Sequence, residues 1–172
     1  MSIEALGDVL RTQGGALAKH VRAPVAGPRP GAPQKAAAGP RAAGREAEYE
    51  LLLEMILEGY RLHYESPLVV RPGEPDLALL LGDQLYALGL SRLAALGDLD
   101  AVAELADVIS LTAAAQAMAD DELAEAVWEA GAVAVGWGPT PDHEAAKVLA
   151  RAGDSGAASA LRAAAERARR PA

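Results

Sequence analysis

Cysteine and phenylalanine are both absent from this chain of 172 residues, and its aromatic residues are two tryptophans and four tyrosines. Without cysteine the chain has no disulfide, no thiol nucleophile and no cysteine-ligated zinc or iron–sulfur site. Nucleic-acid binding usually requires a basic surface and stacking aromatic rings. The formal net charge of -8 and the scarcity of rings therefore argue against a DNA- or RNA-binding protein.

Long apolar runs and a basic leader are also missing. The longest stretch made only of apolar residues and glycine, Ala130 to Gly138, has nine residues, well short of the roughly 20 that cross a bilayer. The opening residues, MSIEALGD, contain two acids and no basic residue, which is unlike a secretory signal. We therefore expect a cytoplasmic protein without a transmembrane segment.

Positive charge is concentrated towards the N-terminus. Residues 1–45 carry seven Lys or Arg and two acids, whereas residues 46–172 carry nine and twenty-two, which predicts a basic arm on an acidic domain. Residues 1–22 are predicted to form an amphipathic arm helix, because apolar side chains recur there at helical spacing: Ile3, Leu6, Leu10, Leu17 and Val21. Residues 23–44 are rich in Pro, Gly and Ala and are predicted to be a flexible or extended linker.

After Arg45 the apolar spacing predicts six successive helices. Turn and capping residues mark several of their limits: Ser66-Pro67, Pro75, Gly97-Asp98 and Thr140-Pro141. No segment shows the sustained alternation of period two that is typical of a half-buried strand. The predicted fold class is therefore all-α: a helical bundle of about six helices over residues 45–172, preceded by the N-terminal helical arm.

The densest carboxylate cluster is Asp120-Asp121-Glu122, with Glu125 one turn later. Hard cations such as Mg²⁺ prefer oxygen ligands, but acids in a first helical turn also stabilise the positive end of the helix dipole, and we favour that interpretation. His143-Glu144 resembles the start of a HExxH zinc motif, yet position 147 is lysine and the second ligand is absent. The other two histidines, His20 and His63, lie far from His143 and from each other in the sequence, so the three histidines do not suggest a metal site. The residues by themselves predict an interaction protein with no active site and no metal site.

A resemblance to a known family is carried mainly by residues 79–111. This run contains a Gly-Asp pair (Gly82-Asp83), an aromatic residue (Tyr86), a leucine-rich helix, a second Gly-Asp turn (Gly97-Asp98) and another apolar helix. It resembles the all-trans polyprenyl diphosphate synthases, and is especially similar to the small, component-I subunit of two-component heptaprenyl diphosphate synthases. The similarity extends from Glu48 to Arg162 and implies a truncated trans-prenyltransferase (isoprenoid synthase) fold.

The resemblance also implies what the chain lacks. Active members of the family hold Mg²⁺ between two aspartate-rich DDxxD motifs and use it to bind and ionise the allylic diphosphate. At the place of the first motif this sequence has His63, Tyr64 and Glu65, and we find no second motif. The resemblance therefore implies a non-catalytic partner subunit of a long-chain synthase, in menaquinone or other quinone side-chain biosynthesis. Such a subunit has no cofactor of its own, and Mg²⁺ is expected on an aspartate-rich catalytic subunit.

Two further groups of residues follow from the resemblance. The family's dimer interface corresponds to seven residues, which we expect to divide between the chain's own core and partner contact: Leu85, Tyr86, Leu88, Leu93, Val102, Leu105 and Ile109. The wall of the prenyl tunnel corresponds to Met55, Ile56 and Tyr60, although helical periodicity already explains these three as core, the interpretation we favour. Two alternatives stay open: a stand-alone scaffold whose basic arm binds an acidic protein or an anionic membrane surface, and a degenerate protein that binds prenyl diphosphate.

Overall fold

Helices supply nearly all the regular structure of this protein. The computed structural model describes residues 2–25 and 31–170. In these residues it contains a short 3-10 helix at Pro40–Ala42, one isolated antiparallel bridge between Val21 and Val70, and nine α-helices. The α-helices are α1 (Ser2–Gln13), α2 (Gly15–His20), α3 (Ala32–Ala37), α4 (Glu46–Tyr64), α5 (Pro75–Ala95), α6 (Leu99–Ala117), α7 (Asp121–Trp137), α8 (Pro141–Arg151) and α9 (Ala157–Ala168). The all-α prediction is confirmed, and α4 to α9 are the six helices predicted after Arg45.

Three helices begin at residues whose side chains cap them. The carboxylate of Asp98 accepts a hydrogen bond from the N–H of Ala101 at 3.0 Å, at the start of α6. Asp120 accepts one from Leu123 at 2.9 Å at the start of α7, and Thr140 caps α8 in the same way. These bonds satisfy amide groups that the first turn of a helix leaves without a partner. Short-range sequence signals therefore set these boundaries.

The larger hydrophobic core surrounds α7, which packs against α3, α6 and α9. Most of the buried residues of α7 are small: Ala124, Ala126, Ala130, Gly131, Ala132, Ala134 and Gly136. Small side chains let neighbouring backbones approach closely but bury little apolar area themselves. Leu, Ile and Tyr side chains of the surrounding helices, together with Val127 and Trp128 of α7 itself, therefore supply much of the buried area.

Residues 31–44 belong to this core, and the prediction of a flexible or extended linker is wrong for them. Helix α3 and the following 3-10 turn lie against α7, with Pro33, Ala36 and Ala42 buried. The Pro, Gly and Ala composition that suggested a linker serves close packing here, because α7 presents an equally small surface. Residues 26–30 of the predicted linker lie outside the described residues.

Two basic side chains fasten this segment to α7 and the rest of the domain. Lys35 forms an ion pair with Glu129 of α7. Arg41 donates a hydrogen bond to the carbonyl oxygen of Val135 at 3.0 Å and another to Asp98 at 2.8 Å. The positive charges of Lys35 and Arg41, which were predicted to belong to a basic linker, therefore form contacts inside the folded domain.

Gly136 lies at the closest approach between α7 and α3. A Cβ atom on Gly136 would lie 2.4 Å from the carbonyl oxygen of Ala36, far inside van der Waals contact. We expect Gly136→Ala to lower the free energy of unfolding by about 1–3 kcal/mol, as overpacking does, in urea titrations followed by circular dichroism. Gly7→Ala is the matched control, because a Cβ atom on this helical glycine meets nothing closer than 3.4 Å; it should be neutral or stabilising by up to about 1 kcal/mol. Equal stability of the two variants would contradict the close approach.

The N-terminal arm is docked on the domain as two helices rather than the single helix predicted. The break between α1 and α2 falls at Gly14, whose φ is 77°. Leu6, Leu10 and Leu17 are buried in a second hydrophobic cluster, whose other fully or nearly buried members are Val21, Met55, Leu62, Val69, Val70, Leu81 and Leu85. The apolar stripe predicted for the arm is present, and it packs on α4, α5 and the loop between them.

Helix α5 carries leucines around its whole circumference, although its exposed side also holds polar residues. One side faces the arm through Leu81 and Leu85, and Leu93 joins the larger core. The remaining side, which we call the outer face of α5, is exposed and consists of Leu79, Leu80, Asp83, Gln84, Ala87 and Ser91. Helices that are apolar all round are normally buried in a large core or a membrane, but Asp83, Gln84 and Ser91 keep the outer face of α5 compatible with water. In the described part of the chain, however, no helix combines the length and apolar character needed to cross a bilayer.

Candidate functional site

Four rings meet where the C-terminal half of α4 packs against α5. The rings of His63 and Tyr86 are stacked, with centroids 5.3 Å apart and planes 5° from parallel. The centroid of Tyr64 lies 5.3 Å from that of Tyr60 and 5.6 Å from that of His63. We call Tyr60, His63, Tyr64 and Tyr86 the ring cluster. It joins residues that the resemblance assigned to three separate places: the tunnel wall, the degenerate first motif and the partner interface.

The Gly-Asp pair of α5 has a packing role beside the ring cluster. A Cβ atom on Gly82 would lie 2.7 Å from Cδ2 of His63 and 3.0 Å from the carbonyl oxygen of Gly59. Glycine at this position therefore lets α4 and α5 approach closely enough for His63 to stack on Tyr86. The aspartate that follows, Asp83, is at the edge of the cluster with 71% of its side chain exposed.

The hydroxyls of Tyr60 and Tyr86 in the ring cluster are neutral groups. Burial is the main cause that raises the pKa of Tyr86, with smaller contributions from Tyr64, Tyr60 and Asp83. Burial also raises the pKa of Tyr60, whose hydroxyl accepts a hydrogen bond from Gln116 at 2.7 Å. Tyrosine hydroxyls do not replace the paired carboxylates that would hold Mg²⁺. The arrangement suits contact with apolar or cationic groups rather than diphosphate chemistry.

The seven residues predicted for a partner interface differ in burial. Three lie in the chain's own core and are fully buried: Leu85, Leu93 and Leu105. Four are partly buried at the edges of the two hydrophobic clusters: Tyr86, Leu88, Val102 and Ile109. Within this group, only the four partly buried residues are therefore accessible for contact with a partner.

The residues predicted as a tunnel wall all occupy core positions. Met55 and Ile56 are fully buried, and Tyr60 is 3% exposed. Met55 packs in the cluster under the arm, whereas Ile56 and Tyr60 pack in the larger core. Their helical spacing therefore corresponds to side chains that fill the interior on two sides of α4.

A buried network of charged side chains joins α6 to α8. Oε1 of Glu104 lies 2.7 Å from Nε2 of His143, and Oε2 lies 2.9 Å from Nζ of Lys147. The same Nζ contacts Asp107 at 2.8 Å and Glu144 at 2.9 Å. Glu104, His143 and Lys147 are at most 5% exposed. Because the charges are paired and hydrogen-bonded, their burial is tolerated.

Lysine takes the place of a metal ion in this network. Glu104, His143 and Glu144 each offer a ligand atom within 4.8 Å of the others, but the ammonium group of Lys147 contacts both carboxylates. Burial lowers the pKa of Lys147, yet hydrogen bonds to Asp107, Glu104 and Glu144 raise it by more, so the side chain stays charged. The residue that broke the HExxH pattern in the sequence therefore supplies the positive charge that the carboxylates need.

Local structure explains the carboxylate cluster at the start of α7. Asp120 caps the helix, and Asp121 and Glu122 lie in its first turn. Arg162 of α9 lies 2.8 Å from Glu122 and 3.6 Å from Glu125. These positions favour the helix-dipole interpretation over Mg²⁺ binding.

A buried carboxylate that the sequence analysis missed organises the loop between α4 and α5. Glu58 is fully buried and accepts hydrogen bonds from the N–H groups of residues 68–70 at distances between 2.6 and 3.1 Å. Arg61 lies 3.2 Å from Glu58 and 2.6 Å from Glu54. The available signal was the i, i+4 and i+7 spacing of these three charges on a helix that is otherwise largely apolar.

A surface depression of about 370 Å³ lies at the start of α6. In it Tyr49 donates a hydrogen bond to Asp98 at 2.5 Å, and Arg41 donates another at 2.8 Å. Burial raises the pKa of Asp98, but the bonds from Tyr49, Ala101 and Arg41 lower it by more and hold it below its ordinary value. The ion pair between Arg41 and Asp98 therefore joins residues 31–44 to the start of α6. We assign this depression a structural role.

Comparisons with protein-family models, with curated proteins and with solved structures each gave no match. The resemblance to polyprenyl diphosphate synthases therefore stays a prediction that rests on the order and spacing of its residues. The geometry contributes the outer face of α5, with the exposed side chains of Leu79 and Leu80, beside the ring cluster.

Proposed function

We propose that this chain is a non-catalytic partner subunit of a long-chain polyprenyl diphosphate synthase. The observation that carries the proposal is the outer face of α5, where Leu79 is 45% and Leu80 is 66% exposed on a helix that carries leucines on every side. A leucine that projects into water from such a helix gains stability when a partner covers it. This face lies within the run that resembles the family.

The four partly buried residues of the predicted interface extend this surface. Tyr86 and Leu88 lie on α5, and Val102 and Ile109 lie on α6. Obligate subunit interfaces typically bury about 2,000 Å² or more and are largely apolar. We propose that α5 and α6 together contact an aspartate-rich catalytic subunit.

The proposal excludes prenyl transfer by the chain alone. Departure of a diphosphate group requires its developing negative charge to be stabilised, usually by metal ions. Rings of His63 and Tyr64 occupy the place of the first aspartate-rich motif, and Lys147 fills the gap between the carboxylates of α6 and α8. Mg²⁺ is therefore expected on the partner, and the chain needs no cofactor of its own.

A second candidate function is a scaffold that binds an anionic surface through the arm. Lys19 and Arg22 of the arm and Arg71 beside them form no ion pair among the described residues. Such a surface would attract acidic proteins or anionic lipids, and the attraction would fall as salt rises. Peripheral membrane contact by this route is compatible with the partner-subunit proposal.

A reconstitution assay distinguishes the two functions. Prenyl transfer from farnesyl diphosphate and labelled isopentenyl diphosphate with Mg²⁺ is measured for the chain alone, for the aspartate-rich synthase of the same genome alone, and for the mixture. We expect activity, or a longer product, in the mixture only. A mixture that equals the synthase alone would refute the subunit proposal, and salt-sensitive binding to anionic vesicles would then favour the scaffold.

A further inference from the structure

Asp83 is the only charged residue of α5 between Asp76 and Arg92. It lies in the outer face of α5, and 71% of its side chain is exposed. Its nearest ionisable neighbour is His63, whose Nε2 lies 3.1 Å from Oδ1 without the geometry of a hydrogen bond. Most of the Asp83 side chain is therefore in contact with water.

The surroundings of Asp83 on the helix are apolar or aromatic. Leu79 and Leu80 lie one turn before it, and Tyr86 and Ala87 lie one turn after it, the spacings at which helical side chains are neighbours. Leu79 and Leu80 are among the most exposed large apolar side chains of the described residues. A partner that covers these leucines also removes water from Asp83.

Removing the water around the Asp83 carboxylate costs more than the adjacent leucines contribute unless a cation replaces that water. We propose that the partner presents an arginine or lysine side chain to Asp83, set in an otherwise apolar surface. This inference rests on the proposed function and names the chemistry of the partner at that site. The rings of Tyr86 and Tyr64 lie beside the position of such a cation, and aromatic faces attract cations.

A second copy of this chain fits the outer face of α5 poorly. A two-fold symmetric contact centred on this face would bring the Asp83 carboxylates of both copies together. The chain also carries a net charge of -8, so like-charge repulsion acts against self-association. Charge complementarity therefore favours a different protein with a basic group at this place.

The test measures the affinity of the chain for the aspartate-rich synthase of the same genome by isothermal titration calorimetry at low and high salt. We expect Asp83→Asn to weaken binding at least tenfold and Asp83→Lys at least a hundredfold, with a smaller dependence of affinity on salt than the wild type. Glu166→Gln, which removes one exposed acid from α9, is the matched control and should bind within twofold of the wild type. Circular dichroism should find all three variants folded, because both sites are exposed.

Three outcomes would overturn the inference. If the wild type binds the synthase and Asp83→Asn binds within twofold of it, the cation opposite Asp83 is refuted and the subunit proposal survives. If the wild type does not bind the synthase at all, both proposals fail together. If light scattering finds a homodimer that Asp83→Asn strengthens, a second copy covers this face instead.

Discussion

Replacement of Glu58 by alanine is expected to lower the free energy of unfolding by about 3–5 kcal/mol, the usual cost of removing one partner from a buried charge pair. Glu58 holds the N–H groups of residues 68–70 and contacts Arg61. Alanine leaves those amides without a buried acceptor and leaves Arg61 with Glu54. Chemical denaturation in urea gives the change directly.

A local measurement separates this mechanism from general damage. We expect the amide protons of residues 68–70 to lose most of their protection from hydrogen exchange in Glu58→Ala and to keep part of it in Glu58→Gln, which retains an acceptor oxygen. Glu48→Ala, at an exposed position of the same helix, is the matched control and should change stability by less than about 0.5 kcal/mol. Unchanged protection in Glu58→Ala would show that the loop is held by other contacts.

Replacement of Lys147 by methionine is expected to cost a similar amount, about 3–5 kcal/mol. Methionine fills most of the same space but removes the positive charge between Glu104, Asp107 and Glu144. His143 and Arg151 then remain as the basic partners of Glu104 and Asp107. The measurement is again urea denaturation, with circular dichroism to confirm that the variant folds.

Two companion variants identify the buried charge as the cause. Glu144→Gln removes the partner of Lys147 that is 53% exposed and should cost less than about 1 kcal/mol, as exposed ion pairs do. Lys147→Met combined with Glu104→Gln should recover much of the loss, because no unpaired charge is then left in the interior. A double variant as unstable as the sum of the two single ones would mean that packing, and not charge, determines the cost.

Features that depend on neighbours in sequence were predictable. The caps at Asp98 and Thr140 and the apolar stripe at Leu6, Leu10 and Leu17 all follow from spacing within one or two helical turns. Each of these signals acts between residues close in the chain, and the structure contains each of them. This is why the fold class and the six helices after Arg45 agree with expectation.

Features that depend on distant partners were not predictable. The Pro, Gly and Ala residues of 31–44 have small side chains that bury little apolar area, so their composition predicted a linker. They belong to the core because the surface of α7 that faces them is equally small. In the sequence, Lys147 stood out only because it replaces the second histidine of a HExxH motif. Its ion pair with Glu104 could not be predicted, because the two residues are 43 positions apart. The residues around Glu58 do not indicate that its carboxylate oxygens accept hydrogen bonds from the backbone of a loop ten or more residues later.

The candidate site lies between these two cases. Tyr60, His63 and Tyr86 were singled out from the resemblance, each for a different reason. Their meeting in one ring cluster follows from the antiparallel return of α5 along α4, which a close approach at Gly82 permits. The members were therefore identified from sequence, but their grouping required the packing of two helices.

The docked arm has a consequence for how the protein folds during its synthesis on the ribosome. Leu6, Leu10 and Leu17 are synthesised before most of the residues that cover them, which come from α4, the following loop and α5. At about 5–20 residues per second, the roughly 70 residues from Leu17 to Leu85 take on the order of 3–14 s to synthesise. Throughout that interval the leucines meet water or a chaperone, so the yield of folded protein in a cell depends on how quickly α5 follows the arm.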